Sequence, residues 1–144
     1  MIRVEPFQPS HLLDIEVQAA QRGDNYRLSL FELGKVQSAR GMSFTARDSD
    51  SGRILICGGM AEVHANYACL WAVLAEGKRG NMQLITRRVR SFVQGLPHAR
   101  VDATIHADFG AGIRWARLIG LRHETTLAEA MPDGGNALIF RRMN

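Results

Sequence analysis

The sequence predicts an α/β domain: a mixed, mostly antiparallel central sheet flanked by helices. Three observations carry that reading. Short β-branched segments follow one another through residues 42–74 with brief connections, as in an antiparallel meander. A strand–helix–strand unit then occupies residues 69–106, the length a parallel crossover needs. Finally, 144 residues with 46% apolar and 22% charged side chains can close one core without a metal or disulfide staple. Residues 1–144 therefore read as a single domain.

Residues 1–7 read as the first strand, with Ile2 and Val4 on one face and Pro6 and Pro9 ending it. Ser10 suits the N-cap of a helix running HLLDIEVQAAQ, closed by Gly23-Asp24-Asn25. A second helical stretch covers residues 26–38, although its apolar positions keep no single period. Residues 43–47 alternate as a strand, and 53–63 form another with a Gly58-Gly59 interruption that marks a bulge or a close approach. Residues 66–74 are a strand apolar on both faces, as a central strand is.

Next comes the polar loop 75–81, and after it the clearest helix. Met82, Ile85, Val89, Phe92, Val93 and Leu96 fall on one helical face, with Arg87, Arg88 and Arg90 off it. Residues 101–106 are a short strand, 110–118 a short helix with Asp108 as its candidate cap. Residues 122–131 and 137–143 pair across Pro132-Asp133-Gly134-Gly135. The string is β-α-α-β-β-β-α-β-α-β-β.

The 18 Lys+Arg against 14 Asp+Glu give +4, and the pI is about 9.7. That mild excess suits an anionic ligand. No aromatic platform interleaves the arginines, so nucleic acid is not an expected partner. No run is long and apolar enough for a membrane helix, and residues 1–14 lack a signal-peptide pattern. Cys57 and Cys69 read as small core residues, Trp71 and Trp115 as core anchors. No metal site is expected, and a reducing cytoplasm is the default location.

Chemistry concentrates at the loop before the long helix. A strand leading through a glycine-containing turn into a helix offers backbone N–H groups and the positive end of the macrodipole. Lys78 and Arg79 add charge there. The loop is neither a Walker A motif nor GxGxxG. A phosphate cradle and a basic connecting turn both fit it.

The order of elements resembles the GCN5-related N-acetyltransferase (GNAT) superfamily over nearly the whole chain. In that family the fourth strand leads into a pyrophosphate loop, usually Arg/Gln-x-x-Gly-x-Gly/Ala. The run EGKRGNMQL at 76–84 stands there, with Arg79-Gly80 similar to the common Arg-Gly and with Met82 and Leu84 at the later glycine positions. Trp115-Ala-Arg-Leu-Ile-Gly-Leu121 resembles the Tyr-Glu-Lys-Leu-Gly-Phe-like run before the sixth strand. Ala116 takes the place of a tyrosine that in many relatives stands near the coenzyme A thiol. A narrower resemblance, through Leu70-Trp71 and the run 113–120, is to GNAT-like bacteriophage proteins related to an internal virion protein.

The resemblance implies attack of an amine on the thioester of acetyl-CoA, with no metal. It places the pyrophosphate at Lys78, Arg79, Gly80, Asn81, Met82 and Gln83, and an oxyanion donor near Val73 or Leu74. The amine must lose a proton, and the candidate bases are His106, Glu62 and His64. Each also reads as an ordinary strand-end residue. The implied partners are acetyl-CoA and an amine acceptor, with a homodimer or phage structural components as further candidates. The alternative is a GNAT-like protein without catalysis, serving as a phage structural, accessory or host-interaction component in the virion or host cytoplasm.

Overall fold

The computed structural model describes residues 1–17, 26–76 and 82–143. Its elements are β1 (Ile2–Pro6), α1 (His11–Asp14), α2 (Tyr26–Ser38), β2 (Ser43–Asp48), β3 (Ile54–His64) and β4 (Tyr67–Leu74), then α3 (Met82–Gly95), β5 (Arg100–His106), α4 (Gly110–Leu118), β6 (Leu121–Leu127) and β7 (Ala137–Arg142). This is the predicted order. The strands form a seven-stranded sheet in the order β1-β2-β3-β4-β5-β7-β6. β1–β2, β2–β3, β5–β7 and β6–β7 are antiparallel. β4 and β5 are parallel, in register from Tyr67↔Arg100 to Cys69↔Asp102.

The chain divides into two compact units, Met1–Glu62 with Trp71–Asn81, and Val63–Leu70 with Met82–Asn144. In the first, Phe7, Leu12, Ile15, Val17, Ile54, Cys57, Val73 and Ala75 form the apolar cluster, with Leu30 and Trp71 against it. Phe7 meets the Trp71 ring edge-on at 5.1 Å. The Gly58-Gly59 pair marks close approach: a Cβ on Gly58 would lie 2.6 Å from the Trp71 carbonyl oxygen, and one on Gly59 would collide with that of Met42. The register shift of this ladder lies instead between Ala46 and Arg47.

In the second unit the buried apolar side chains include Ile85 and Val93 of α3, Val101 of β5, Ala116 of α4, Leu121 of β6 and Phe140 of β7. Arg142, only 6% exposed, closes the far end of α3. Its Nη1 donates to the carbonyls of Val93 and Leu96 at 2.8 Å each, and its Nη2 to that of His98. A helix C-terminus leaves carbonyls without intrahelical partners, and one guanidinium supplies the missing donors. Gly120 (φ +98°) carries the chain from α4 into β6 in the left-handed conformation that glycine favours.

Three local expectations are corrected. The first helix stops at Asp14: Ile15 is extended and Val17 bridges Ala75 in antiparallel fashion. Ile15 and Val17 are buried around an exposed Glu16, so the two-residue period of β-branched side chains wins over helix propensity. Ser10 does stand at the N-cap of that helix, although it is helical in φ and ψ and makes no side-chain cap bond, while the proposed end at Gly23-Asp24-Asn25 lies outside the described residues. Asp108 does not cap α4, whose N-cap is Phe109. β6 ends at Leu127 rather than residue 131, because Glu129 takes a φ of +56° and its N–H turns to the Asn136 side chain.

Candidate functional site

The C-terminal end of β4 turns apolar side chains inward. Val73 and Leu74 are buried, and Val73 belongs to the apolar cluster of the first unit. Beyond them the Ala75 N–H donates to the Leu55 carbonyl at 2.9 Å. The Glu76 N–H donates to the Glu16 carbonyl, and the Arg53 guanidinium to that of Glu76. The segment that leaves α1 thus straps the end of β4.

Lys78, Arg79, Gly80 and Asn81 lie outside the described residues. Of the loop's predicted contacts the structure describes Met82, half-buried, and Gln83, exposed, at the start of α3. The first turn of α3 contains no acidic residue, so no carboxylate within that turn opposes the macrodipole's attraction for an anion.

His106 ends β5 with both ring nitrogens engaged. Nε2 lies 2.8 Å and 3.0 Å from the two carboxylate oxygens of Asp133. Nδ1 accepts the Asp108 N–H at 3.0 Å. An accepting Nδ1 puts the proton of the neutral ring on Nε2, facing the carboxylate. A Cβ on Gly135 would come within 2.6 Å of the ring, so only glycine lets the loop lie this close. The Gly135 N–H, ahead of His106, holds the Asp133 carboxyl below its ordinary value.

Glu62 and His64 lie elsewhere. Both are exposed. The Glu62 N–H donates to the Arg40 carbonyl. His64 accepts the Asn66 N–H at 3.1 Å and meets the Tyr67 ring edge-on at 5.9 Å. Tyr67 is in register with Arg100, six residues before His106, which is about 20 Å along a strand. His64 and His106 therefore cannot act on one substrate atom.

Two polar clusters escape the sequence reading. In the first unit, Thr45 hydroxyl lies 2.7 Å from His11 Nδ1 and 3.7 Å from Cys57 Sγ. The Gln8 N–H also donates to His11 Nδ1, and Glu5 binds Arg47 at 2.7 Å. Burial first, and then the Arg47 charge, pull His11 below the usual imidazole range against the opposing charges of Glu5 and Asp14. Burial pushes the Cys57 thiol up to about 11, which removes it as a nucleophile.

In the second unit, Tyr67 hydroxyl donates to Asp102 Oδ2 at 2.7 Å, and Arg100 binds the same oxygen through Nε and Nη2. Arg100 also forks onto Glu124 at 2.6 Å and 3.1 Å, and Arg141 reaches Glu124 at 3.0 Å. Arg100, followed by Arg141, holds the Glu124 carboxyl down to about 2. Burial and the neighbouring Cys69 and Asp102 push the Tyr67 phenol up. The alternation Arg-Val-Asp-Ala-Thr-Ile-His in β5 is the signal that foretells such a polar face. Among the described residues no group of three or more His, Cys, Asp or Glu converges to hold a metal ion. No helix of the described residues is long and apolar enough to cross a membrane.

No protein-family model matches the sequence, and no curated protein matches it. Solved structures are similar to it along almost its whole length. Ard1 from Thermoplasma volcanium is 12% identical with a TM-score of 0.75, over 98% of this chain and 96% of that one. A spermidine N-acetyltransferase chimera from Vibrio cholerae and hSSAT is 14% identical with a TM-score of 0.71, over 99% and 95%. The ribosomal-protein-S18-alanine N-acetyltransferase from Escherichia coli is 14% identical with a TM-score of 0.67, over 99% and 93%. At these identities the likeness is one of fold, and the chain has the GNAT fold.

Proposed function

We propose that this chain is an acyl-CoA-dependent N-acyltransferase that moves an acetyl group from acetyl-CoA to an amine. The supporting observation is a likeness in fold, nearly end to end, to N-acetyltransferases that act on spermidine and on a ribosomal-protein alanine. Fold alone does not make an enzyme. The acid-free start of α3 adds a local reason to seat a pyrophosphate.

In this reading the pyrophosphate lies on main-chain N–H groups from Lys78, Arg79, Gly80 and Asn81 to Met82 and Gln83. The Val73-Leu74 main chain supplies the donor that stabilises the thioester oxygen as it becomes negative. The amine nitrogen attacks the thioester carbon, the carbon–sulfur bond breaks, and the amine proton passes to a base. His106 takes that role among the three candidates, since Asp133 would stabilise the imidazolium. It must first release the Asp108 N–H from Nδ1. Ala116, buried in α4, has no proton to give, so the departing CoA thiolate takes one from solvent.

A second reading, a protein of this fold without catalysis acting as a phage structural, accessory or host-interaction component, draws on Ala116 and on the engaged His106 ring. Thiol release from acetyl-CoA, followed with spermidine and with an N-terminal alanine peptide, separates the two. Amine-dependent release that falls in His106→Gln supports the enzyme. Binding of acetyl-CoA without release to either amine favours the second reading.

A further inference from the structure

Helices α3 and α4 lie side by side in the second unit. Trp115 Nε1 donates to Thr86 Oγ1 at 2.8 Å, and Arg90 Nη1 donates to the Leu118 carbonyl at 2.9 Å. Gln94 reaches the Ile119 carbonyl at 3.5 Å. Their outer surfaces expose Arg87, Arg88 and Arg90 from α3 and Arg114 and Arg117 from α4. Neither helix contains an aspartate or glutamate. Among the described residues no carboxylate pairs with any of the five arginines. The two groups are more than twenty residues apart in sequence, and only the packing of α4 on α3 joins them.

We infer that this double-helix surface docks the phosphate backbone of a nucleic-acid duplex. The choice of partner follows from what the surface contains and what it lacks. A protein interface needs a central apolar or aromatic anchor, yet the only large apolar side chain strongly exposed on these helices is Leu118. A helix that lies within a membrane interface inserts an apolar face, and the apolar face of α3 is turned inward at Ile85 and Val93. A single strand needs aromatic platforms on which bases stack. Phe92 and Trp115 are half-buried, and the Trp115 indole is tied to Thr86.

What remains is charge without sequence readout, which is how duplex backbone is bound. The missing platform that argues against a single strand places no such limit on a duplex. Arginine, which outnumbers lysine sixteen to two in this chain, presents a planar fork suited to phosphate oxygens. The 14 residues of α3 extend about 21 Å, the axial length of about six phosphates on one strand.

The inference stands apart from acyl transfer. Its test is fluorescence anisotropy of a labelled 20-base-pair DNA duplex titrated with the full chain at several salt concentrations. Saturable binding is expected at 50 mM salt, with log Kd rising against log salt at a slope of about 4.5. The exposed double variants Arg87→Gln/Arg88→Gln and Arg114→Gln/Arg117→Gln should each weaken binding about tenfold and lower the slope by about 1.8. Circular dichroism confirms that each variant is folded. No binding at 50 mM salt overturns the inference, as does binding unchanged in both double variants. Tighter binding to a single strand, a polyglutamate peptide or phosphatidylserine vesicles than to the duplex also overturns it.

Discussion

In the first unit the buried polar row is neutral: His11 shares Thr45 with Cys57, and the nearest ion pair, Glu5–Arg47, stands beside it. In the second unit the corresponding row is ionised, with Asp102 buried under Tyr67 and Arg100, and Glu124 clamped between Arg100 and Arg141. A neutral row holds by keeping protons out, whereas an ionised row holds by keeping carboxylates charged. The two units should therefore fail at different acidities and respond differently to salt.

The largest effect expected lies in the second unit. Arg142→Met would keep much of the volume but remove the guanidinium bonds to three buried carbonyls at and just beyond the end of α3. A loss of about 3 kcal/mol or more is expected in urea unfolding, with the amides of residues 93–98 losing hydrogen-exchange protection first. Protection that stays uniform would show that these carbonyls do not depend on Arg142.

In the first unit, Thr45→Val removes the hydroxyl shared by His11 and Cys57. A cost of about 1–2 kcal/mol is expected in the same assay. The Cys57 thiol, held near 11, should remain unreactive to a thiol reagent at pH 8 until the unit opens, and Thr45→Val should hasten that labelling.

The acid response separates the units next. His11 is lowered in the folded state, so the unfolded chain binds the proton more readily. Its contribution is complete above about pH 6.5, the free imidazole value, and is lost as pH falls through the lower folded value. His11→Gln should flatten that part of the stability curve. Glu124, held down to about 2, contributes above the ordinary carboxylate range and loses its contribution as pH falls toward 2. Glu124→Gln should lower stability at neutral pH by an amount that shrinks in high salt, and remove this later acid limb. Coincident limbs in the two variants would break the comparison between the units.

Much of the architecture was legible because it rests on local pattern. The face of α3 from Met82 to Leu96 follows from periodicity, and its end and the bounds of α4 from glycine and proline punctuation. What escaped depends on pairing between distant segments. Ile15-Glu16-Val17 continues a helical pattern until Ala75 offers a strand partner. Asp133, 27 residues beyond His106, becomes its partner only through the β6–β7 turn. Arg141 and Arg142 look alike in sequence, yet alternation along β7 sends them to opposite faces, one to Glu124 and the other to the end of α3. The loop that would hold a pyrophosphate was legible as a basic glycine turn, and four of its predicted contacts lie outside the described residues.

Acyl transfer requires first that acetyl-CoA bind, and isothermal titration of the intact chain with acetyl-CoA measures that directly. One site of micromolar affinity and a raised Tm in the presence of ligand are expected. In Gly80→Pro, which keeps the fold but remodels the loop, both signals should disappear. A folded wild-type chain that gives neither heat nor a shift in Tm would overturn acyl transfer from acetyl-CoA.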